Sequence, residues 1–139
     1  MSGKLTLTMI KPEAVEKGHT GAILKKIQDA GFQISAMKMY QLTRDQVESF
    51  YAEHKGKPFY EDLCNYMCSG PIVAAVLQKE NAVVDFRTLV GKTDPKDAAE
   101  GTIRKEFAES GSKNAVHGSD SDESAKKETS FHFAQTELF

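Results

Sequence analysis

Residues 72–77 read IVAAVL, an unbroken apolar run that directly follows the turn-forming pair Gly70-Pro71. A short apolar run that begins at a turn is typical of a strand in the middle of a sheet, where both faces are covered. Residues 4–10 read KLTLTMI and alternate in character, which predicts a second strand that ends before Pro12. These two strands are the anchor of the predicted sheet.

Outward from these strands, strand and helix patterns alternate along the chain. Helices are predicted from a cap at Thr20 to a stop at Gly31, from the Thr43/Gln46 capping box to His54, and over residues 59–67, 83–90 and 119–129. Further strands are predicted over residues 32–40 and 115–117. With about four strands, this order favours a ferredoxin-like sandwich over a doubly wound sheet. The predicted fold class is therefore α/β (α+β), a four-stranded antiparallel sheet with helices packed on it.

One segment, residues 92–113, lacks periodicity and is rich in Gly, Pro, Asp and Thr. An irregular stretch of this length inside a compact domain usually indicates function or disorder. Its central piece, 102–107, is compatible with one or two helical turns. We predict a long irregular loop here.

Composition limits the function classes. The chain has 139 residues, 40% of them hydrophobic, and a net charge of -2, which predicts one soluble globular domain (1–139) and argues against a general electrostatic grip on nucleic acid or membranes. Cys64 and Cys68 have neither redox-pair nor zinc-site spacing. The longest apolar run is far shorter than the roughly 20 residues that span a bilayer, and no signal-peptide pattern is present. We therefore expect a cytoplasmic protein with free thiols.

The common nucleotide-binding motifs are missing. Gly91-Lys92-Thr93 ends like a P-loop, but Phe86 stands where that motif needs its first glycine, and a helix precedes it instead of a strand. No GxGxxG, HExxH or GxSxG pattern occurs in the sequence. Nucleotide binding by those routes is excluded.

Three residues attract attention on chemical grounds alone. Arg87 and Arg104 are two of only three arginines and lie at or inside the irregular segment, where they suit bidentate phosphate recognition or, alternatively, ordinary surface ion pairs. His117 precedes Gly118 and a predicted helix start, where free N–H groups attract anions. From the residues alone, a nucleophile towards phosphorus, a general acid or base, and a simply packed histidine all remain open.

Residues 114–120 read NAVHGSD, and this NxxHGSD pattern resembles the active-site signature of nucleoside diphosphate kinases. Further motifs of that family recur in its order and at about its spacing along nearly the whole chain. They are Ile10-Lys11-Pro12, Pro58-Phe59, Ser69-Gly70-Pro71, Gly91-x-Thr93-x-Pro95 and Gly101-Thr102-Ile103-Arg104. Each motif is weak by itself, but the set in register is highly specific.

The resemblance implies a ping-pong phosphotransferase. A nucleoside triphosphate, mainly ATP, gives its γ-phosphoryl group to a histidine, and a nucleoside or deoxynucleoside diphosphate then takes it, which maintains the NTP and dNTP pools. By resemblance His117 is the nucleophile, Glu128 orients the imidazole and Ser119 assists. Mg²⁺ is implied on the nucleotide phosphates through water, without a dedicated metal site on the protein.

The same resemblance implies the remaining site residues. Lys11 would meet the transferring phosphate and the ribose hydroxyl, and Tyr51 would place its hydroxyl near the moving group. The implied phosphate ligands are Arg87, Thr93 and Arg104, the implied sugar contact is Asn114, and the implied apolar wall under the base is Phe59 with Leu63. A homo-oligomer is also implied, with a hexamer favoured and a tetramer possible.

Several positions depart from the family pattern. Glu13-Ala14 replaces the usual Asp-Gly, a change to which we assign little consequence, and Glu100 replaces a common proline, which could loosen the loop. Gly111 stands where many members have an apolar residue that closes over the base, so we predict a more open base slot and weaker nucleotide binding. Lys113 replaces an arginine or another polar residue, without a clear interpretation.

Three alternative functions compete with the enzyme. The chief alternative is a non-catalytic nucleotide- or DNA-binding regulatory member of the same fold, but the nucleophile, Lys11 and both arginines are all retained, and the net charge disfavours a nucleic-acid module. A phosphohistidine carrier needs no base wall or paired phosphate arginines. A purely structural oligomer subunit leaves Lys11, Arg87 and Arg104 unexplained. The sequence therefore favours the enzyme.

Overall fold

The computed structural model describes residues 3–138 and is built around a four-stranded antiparallel sheet in the order β2-β3-β1-β4. The strands are β1 (Leu5–Ile10), β2 (Gln33–Tyr40), β3 (Ile72–Gln78) and β4 (Val116–Gly118). The two anchor strands lie in the middle and pair from Leu5↔Gln78 to Ile10↔Val73. The predicted ferredoxin-like, four-stranded antiparallel fold is confirmed.

Seven helices connect or flank these strands in the described part of the chain. They are α1 (Pro12–Glu16), α2 (Thr20–Asp29), α3 (Arg44–Phe50), α4 (Tyr60–Met67), α5 (Ala82–Val90), α6 (Ile103–Phe107) and α7 (Asp122–His132), with 3₁₀ turns at Ala52–His54 and Gln135–Glu137. α6 is the short helix expected inside the irregular segment 92–113.

Both faces of the sheet are covered by helices, and each face has its own apolar core. On one face Ile23 and Ile27 of α2 and Phe86 of α5 pack against sheet residues such as Val73. On the other face α3, α4 and α7 cover Leu7 and Met9. The threonines that alternate with these residues in β1 are also fully buried. Burial on both faces explains why the all-apolar run 72–77 forms the central strand.

Several local predictions are confirmed and others need correction. Thr43 and Gln46 form the expected capping box, and Gly31 has a left-handed φ of 96° just after α2. Thr20 is not the cap of α2, because the cap position falls on His19 and no side chain bonds there. The helix from the capping box ends at Phe50 instead of His54, which lies in a 3₁₀ turn.

The C-terminal helix begins later than predicted. α7 starts at Asp122 behind a Ser121 cap whose hydroxyl accepts from the Ser124 backbone N–H at 3.0 Å. Ser119 is therefore outside the helix. The last strand extends to Gly118 instead of ending at His117. Hydrogen bonds with Thr8 and Met9 of β1, which no local pattern reveals, hold these residues in the sheet.

The irregular segment 92–113 is fastened to the first two helices by ion pairs. Lys26 of α2 lies 3.0 Å from Glu106, and Lys17 lies 2.5 Å from Glu109. The ring of His19 also packs against Phe107, with centroids 5.1 Å apart. These contacts hold α6 and the end of the irregular segment against α1 and α2.

Candidate active site

The candidate residues meet where β1 and β4 run side by side. Met9 pairs with His117, and Ile10 pairs with Val116. Beyond the ladder, the Lys11 N–H donates to the Ala115 carbonyl at 2.8 Å. Sheet pairing therefore brings together the lysine that follows β1 and the histidine of β4, which are far apart in sequence.

The histidine is held by a carboxylate on α7. Nε2 of His117 lies 2.8 Å from Oε1 of Glu128, and the hydroxyl of Ser119 donates to the same oxygen at 2.7 Å. Ser119 is fully buried, and its Oγ also accepts from the Leu7 backbone N–H at 3.2 Å. Because a carboxylate only accepts hydrogen bonds, Nε2 carries the proton of a neutral imidazole here, and Nδ1 of that tautomer has the lone pair.

Aromatic side chains from α3 close the site on one side. Phe50 packs edge-on against the His117 ring, with centroids 5.6 Å apart. The next residue, Tyr51, is buried, and its hydroxyl has no hydrogen-bond partner among the described residues. Burial, with a smaller effect from the nearby Glu128 carboxylate, raises the pKa of Tyr51. The tyrosine therefore remains a neutral O–H donor.

Within residues 3–138, the buried Lys11 side chain makes one hydrogen bond. Its Nζ donates to Oδ1 of Asn114 at 2.6 Å, and the Asn114 amide nitrogen donates in turn to the Gly111 carbonyl at 3.1 Å. Burial, together with the positive charge of Arg104, lowers the pKa of Lys11 to about 7, although the Glu13 carboxylate opposes this shift. An anion that enters beside Lys11 would favour its protonated form.

The two arginines are held in different ways. Arg104 donates from Nη2 to the Val116 carbonyl at 3.0 Å, from Nη1 to Gly91 at 3.2 Å and from Nε to Asn114 at 3.3 Å. Burial and the charge of Arg87 lower its pKa to about 10, so it stays charged at neutral pH. Arg87 is exposed and donates to the Gly118 carbonyl at 3.3 Å. Both guanidinium groups keep further N–H donors.

The predicted base wall consists of Phe59, the N-cap residue of α4, and Leu63 within α4. Phe59 is 48% exposed, a large fraction for a phenylalanine, and its ring lies 5.4 Å from that of His54. His54 in turn stacks on Tyr51 at 6.1 Å. Leu63 is one helical turn after Phe59 and half-buried. This chain of rings links the exposed Phe59 to the buried Tyr51.

Thr93 makes no hydrogen bond to the other predicted residues in the part of the chain described. It lies exposed in the irregular segment, near the start of the loop that follows α5. Three connected sets hold most of the other predicted residues, namely Lys11 with Asn114 and Arg104, His117 with Glu128 and Ser119, and Tyr51 with Phe59 through His54. Arg87 and Leu63 lie outside these sets.

Comparison with known proteins identifies the family to which these residues belong. The family model of nucleoside diphosphate kinase matches residues 4–138. The chain belongs to the nucleoside diphosphate kinase family. A nucleoside diphosphate kinase of Flavobacterium psychrophilum is 56% identical over the full length of both chains, and one of Salinibacter ruber is 51% identical over 99% of this chain and 97% of that relative.

Solved structures agree with this family membership. A nucleoside diphosphate kinase of Aquifex aeolicus superposes with a TM-score of 0.96 and is 42% identical over 99% of this chain and 100% of that structure. A halophilic nucleoside diphosphate kinase of Halobacterium salinarum, solved in complex with CDP, superposes with a TM-score of 0.94 and is 32% identical over 99% of this chain and 91% of that structure. The chain is thus an enzyme of nucleotide phosphotransfer, and the regulatory alternative is not favoured.

Sequence reasoning missed one buried acid in this nucleoside diphosphate kinase fold. Glu13 lies in the first turn of α1, whose first residue is Pro12. Its Oε1 accepts from the Ala115 backbone N–H at 3.0 Å and from the Tyr66 hydroxyl at 2.8 Å. The departure from the family's Asp-Gly was the available signal.

Proposed function

We propose that this protein transfers the γ-phosphoryl group of a nucleoside triphosphate, mainly ATP, to a nucleoside or deoxynucleoside diphosphate through a phosphohistidine at His117. The observation that carries the proposal is the 2.8 Å hydrogen bond between His117 Nε2 and Glu128. It directs the proton to Nε2 and leaves Nδ1 as the nucleophile. The second half-reaction regenerates the free imidazole. The Glu128 carboxylate therefore holds the same ring orientation in both half-reactions.

The transfer proceeds through two successive displacements at phosphorus. In the first, a lone pair of Nδ1 attacks the γ-phosphorus, the bond to the bridging oxygen breaks, and the nucleoside diphosphate leaves with that electron pair. In the second, a terminal oxygen of another nucleoside diphosphate attacks the phosphorus and the P–N bond breaks. Because the transition state is loose and its charge is spread over oxygens, positioning and cations account for most of the rate.

Lys11, Arg87 and Arg104 are the cations we assign to this charge. Lys11 lies beside Asn114, which would contact the sugar hydroxyl, so phosphate and ribose can be held together. Arg104 is fixed by three backbone carbonyls and keeps N–H donors for phosphate oxygens. Thr93 would complete this set from the irregular segment. The buried Tyr51 hydroxyl, which lacks a partner within residues 3–138, would donate near the moving group.

We assign the base to the Phe59 and Leu63 surface. A half-exposed phenylalanine offers a π-face for stacking, and every base has a π-face of its own. Binding of this kind is tolerant of base identity, which suits an enzyme that serves several nucleotides.

The cofactor we propose is Mg²⁺. Among the described residues, no group of three or more His, Cys, Asp or Glu side chains is placed to hold a metal ion. The side chains assigned to the phosphates are instead cationic or neutral donors, which fit a nucleotide whose phosphates bring the ion with them. Mg²⁺ commonly binds in this way, keeping several waters and few protein ligands. When bound, it would neutralise part of the phosphate charge.

We also propose that the protein is a homo-oligomer, preferably a hexamer, and that it acts in the cytoplasm. β2 lies at the end of the sheet, and its Met37 and Met39 side chains are 51% and 59% exposed. An exposed apolar edge strand is a common place for association. No helix within residues 3–138 is long and apolar enough to cross a membrane. Sedimentation equilibrium distinguishes a hexamer from a tetramer or a monomer.

A transfer experiment tests the proposed chemistry. The protein is incubated with γ-labelled ATP and Mg²⁺, unlabelled GDP is added, and His117→Ala and His19→Ala are treated alike. We expect acid-labile, alkali-stable label on the wild-type protein and on His19→Ala, release of that label to GDP, and none on His117→Ala. A wild-type protein that never takes label would refute the nucleophile and favour a regulatory nucleotide-binding role.

A further inference from the structure

Glu13 is a buried carboxylate that the phosphotransfer chemistry leaves without a role. It is 8% exposed and lies two residues after Lys11, in the first turn of α1. One oxygen, Oε1, accepts from both Ala115 and Tyr66, and the other, Oε2, is buried without a hydrogen-bond partner in the described chain. Burying a charge in this way is costly unless it is paired.

The residue that Glu13 binds is under backbone strain. Ala115 has a φ of 73°, a left-handed conformation that is unfavourable for a non-glycine residue. It lies between Asn114, the partner of Lys11, and the start of β4, which carries His117. A turn of this kind persists only when its surroundings hold it.

Two hydrogen bonds hold this turn from the same short stretch of chain. The Lys11 N–H donates to the Ala115 carbonyl at 2.8 Å, and the Ala115 N–H donates to Glu13 at 3.0 Å. The peptide units on both sides of the strained residue are thereby tied to the end of β1 and the start of α1. Any shift of Glu13 would displace Asn114 relative to Lys11.

Glu13 also faces Lys11 electrostatically. The charged groups that act on Lys11 are Arg104 from α6, which disfavours its protonation, and Glu13 from α1, which favours it. The groups that act on Glu13 are the neutral Tyr66 hydroxyl of α4 and Lys11, the residue between β1 and α1. Glu13 is therefore the negative charge that offsets Arg104.

We propose that Glu13 is a positioning residue of the phosphotransfer site, which holds the Ala115 turn in place and sets a negative charge close to Lys11. This inference rests on the proposed function and deepens it. This role requires no contact between Glu13 and the phosphate or the base. It acts through Ala115 on Asn114 and His117, and through its charge on Lys11.

Three variants separate these two contributions. Glu13→Gln keeps an oxygen that can accept from Ala115 but removes the charge, whereas Glu13→Asp keeps the charge and shortens the reach by one methylene group. Glu16→Gln is the matched control, because it removes one negative charge from the exposed side of the same helix. For each protein, kcat/KM for ATP is measured from about pH 6 to about pH 9, a range that brackets the Lys11 pKa.

Two measurements on the nucleotide-free protein accompany the kinetics. The Lys11 pKa is followed by NMR of its ε-carbon, and the Ala115 amide is followed by hydrogen exchange. For Glu13→Gln we expect the Lys11 pKa and the alkaline fall of kcat/KM to move down by about one pH unit. For Glu13→Asp we expect the pKa to stay, Ala115 exchange to accelerate, and the plateau of kcat/KM to drop about tenfold.

Defined results would overturn the proposal. It fails if Glu13→Gln titrates like the wild type, if Glu16→Gln shifts Lys11 equally, or if Glu13→Asp keeps both the wild-type plateau and the Ala115 protection. If Glu13→Gln does not fold, Glu13→Asp decides through Ala115 exchange. If the wild-type protein forms no phosphohistidine, the proposed function fails separately, while the Lys11 titration and the Ala115 exchange still test Glu13.

Discussion

Oε1 of Glu128 accepts two hydrogen bonds, one from His117 Nε2 at 2.8 Å and one from Ser119 at 2.7 Å. Ser119 is in turn fixed by the Leu7 N–H of β1. The imidazole orientation is thus set by two elements at once, β1 and α7. Such second contacts fix the tautomer of a working histidine and the direction of its free nitrogen.

Replacing the carboxylate should therefore slow the first half-reaction. In Glu128→Ala the imidazole can rotate and exchange tautomers, and we expect the single-turnover rate of phosphohistidine formation to fall about 100-fold. Quenched-flow labelling with γ-labelled ATP measures this rate. Glu123→Ala, an exposed change in the first turn of the same helix, should stay within about twofold of the wild type. A Glu128→Ala rate equal to that of Glu123→Ala would contradict the orienting role.

Arg104 combines a structural and a ligand role. In Arg104→Lys the charge remains, but one ammonium group cannot satisfy the carbonyls of Gly91, Asn114 and Val116 together. We expect a loss of about 1–3 kcal/mol in the free energy of unfolding and a raised KM for ATP. Arg87→Lys, which is exposed and makes one long contact to a carbonyl, should raise KM with little loss of stability. Thermal melts and steady-state kinetics distinguish the two, and equal stability losses would contradict this difference.

The buried His132 side chain makes the free energy of unfolding depend on pH in the acid range. Burial, with a smaller effect from His117, lowers the pKa of His132 to about 4. Its folded pKa lies below the unfolded value of about 6.5, so the unfolded chain binds more protons between these values. The resulting stability, of order 3 kcal/mol, is present above about pH 6.5 and is lost as pH falls towards about 4.

The His132→Phe variant tests this response. We expect it to lose some stability at neutral pH, because Tyr40 loses its hydrogen-bond partner, but to flatten the acid dependence. His19→Phe, a partly exposed histidine far from this core, is the control. Urea unfolding at several pH values gives the free energies, and an acid slope unchanged in His132→Phe would refute the assignment.

The fold could be predicted wherever a local pattern of the sequence reflected burial or a helix cap. The apolar run 72–77 marked the central strand, and the Thr43/Gln46 box marked the start of α3, since each depends on neighbours in sequence. The bounds of β4 and α7 were displaced because pairing with β1, not propensity, holds Gly118 and Ser119 in place.

The site could be predicted only in part for the same reason. The resemblance named Lys11, His117 and Glu128 as candidates, yet the tautomer of the histidine follows from a distance that no sequence gives. Glu13 was assigned little consequence because its partner, the Ala115 backbone N–H, is a main-chain group about a hundred positions away. A left-handed alanine leaves no signature in the sequence itself.

Gly111 offers the sharpest test of a departure from the family pattern. The three atoms nearest to a Cβ built there all belong to Asp94, the closest being Oδ2 at 3.7 Å, and the backbone φ is not in the left-handed region. Gly111→Val should therefore fold normally and add apolar surface over the base. One or two methyl groups buried against the base, at about 0.8 kcal/mol each, would tighten ADP binding about 4- to 15-fold. Isothermal titration calorimetry measures this affinity, and Ser112→Val, in the same loop but exposed, should leave it unchanged. An unchanged affinity in Gly111→Val would mean that residue 111 does not border the base, and that the open slot does not weaken binding.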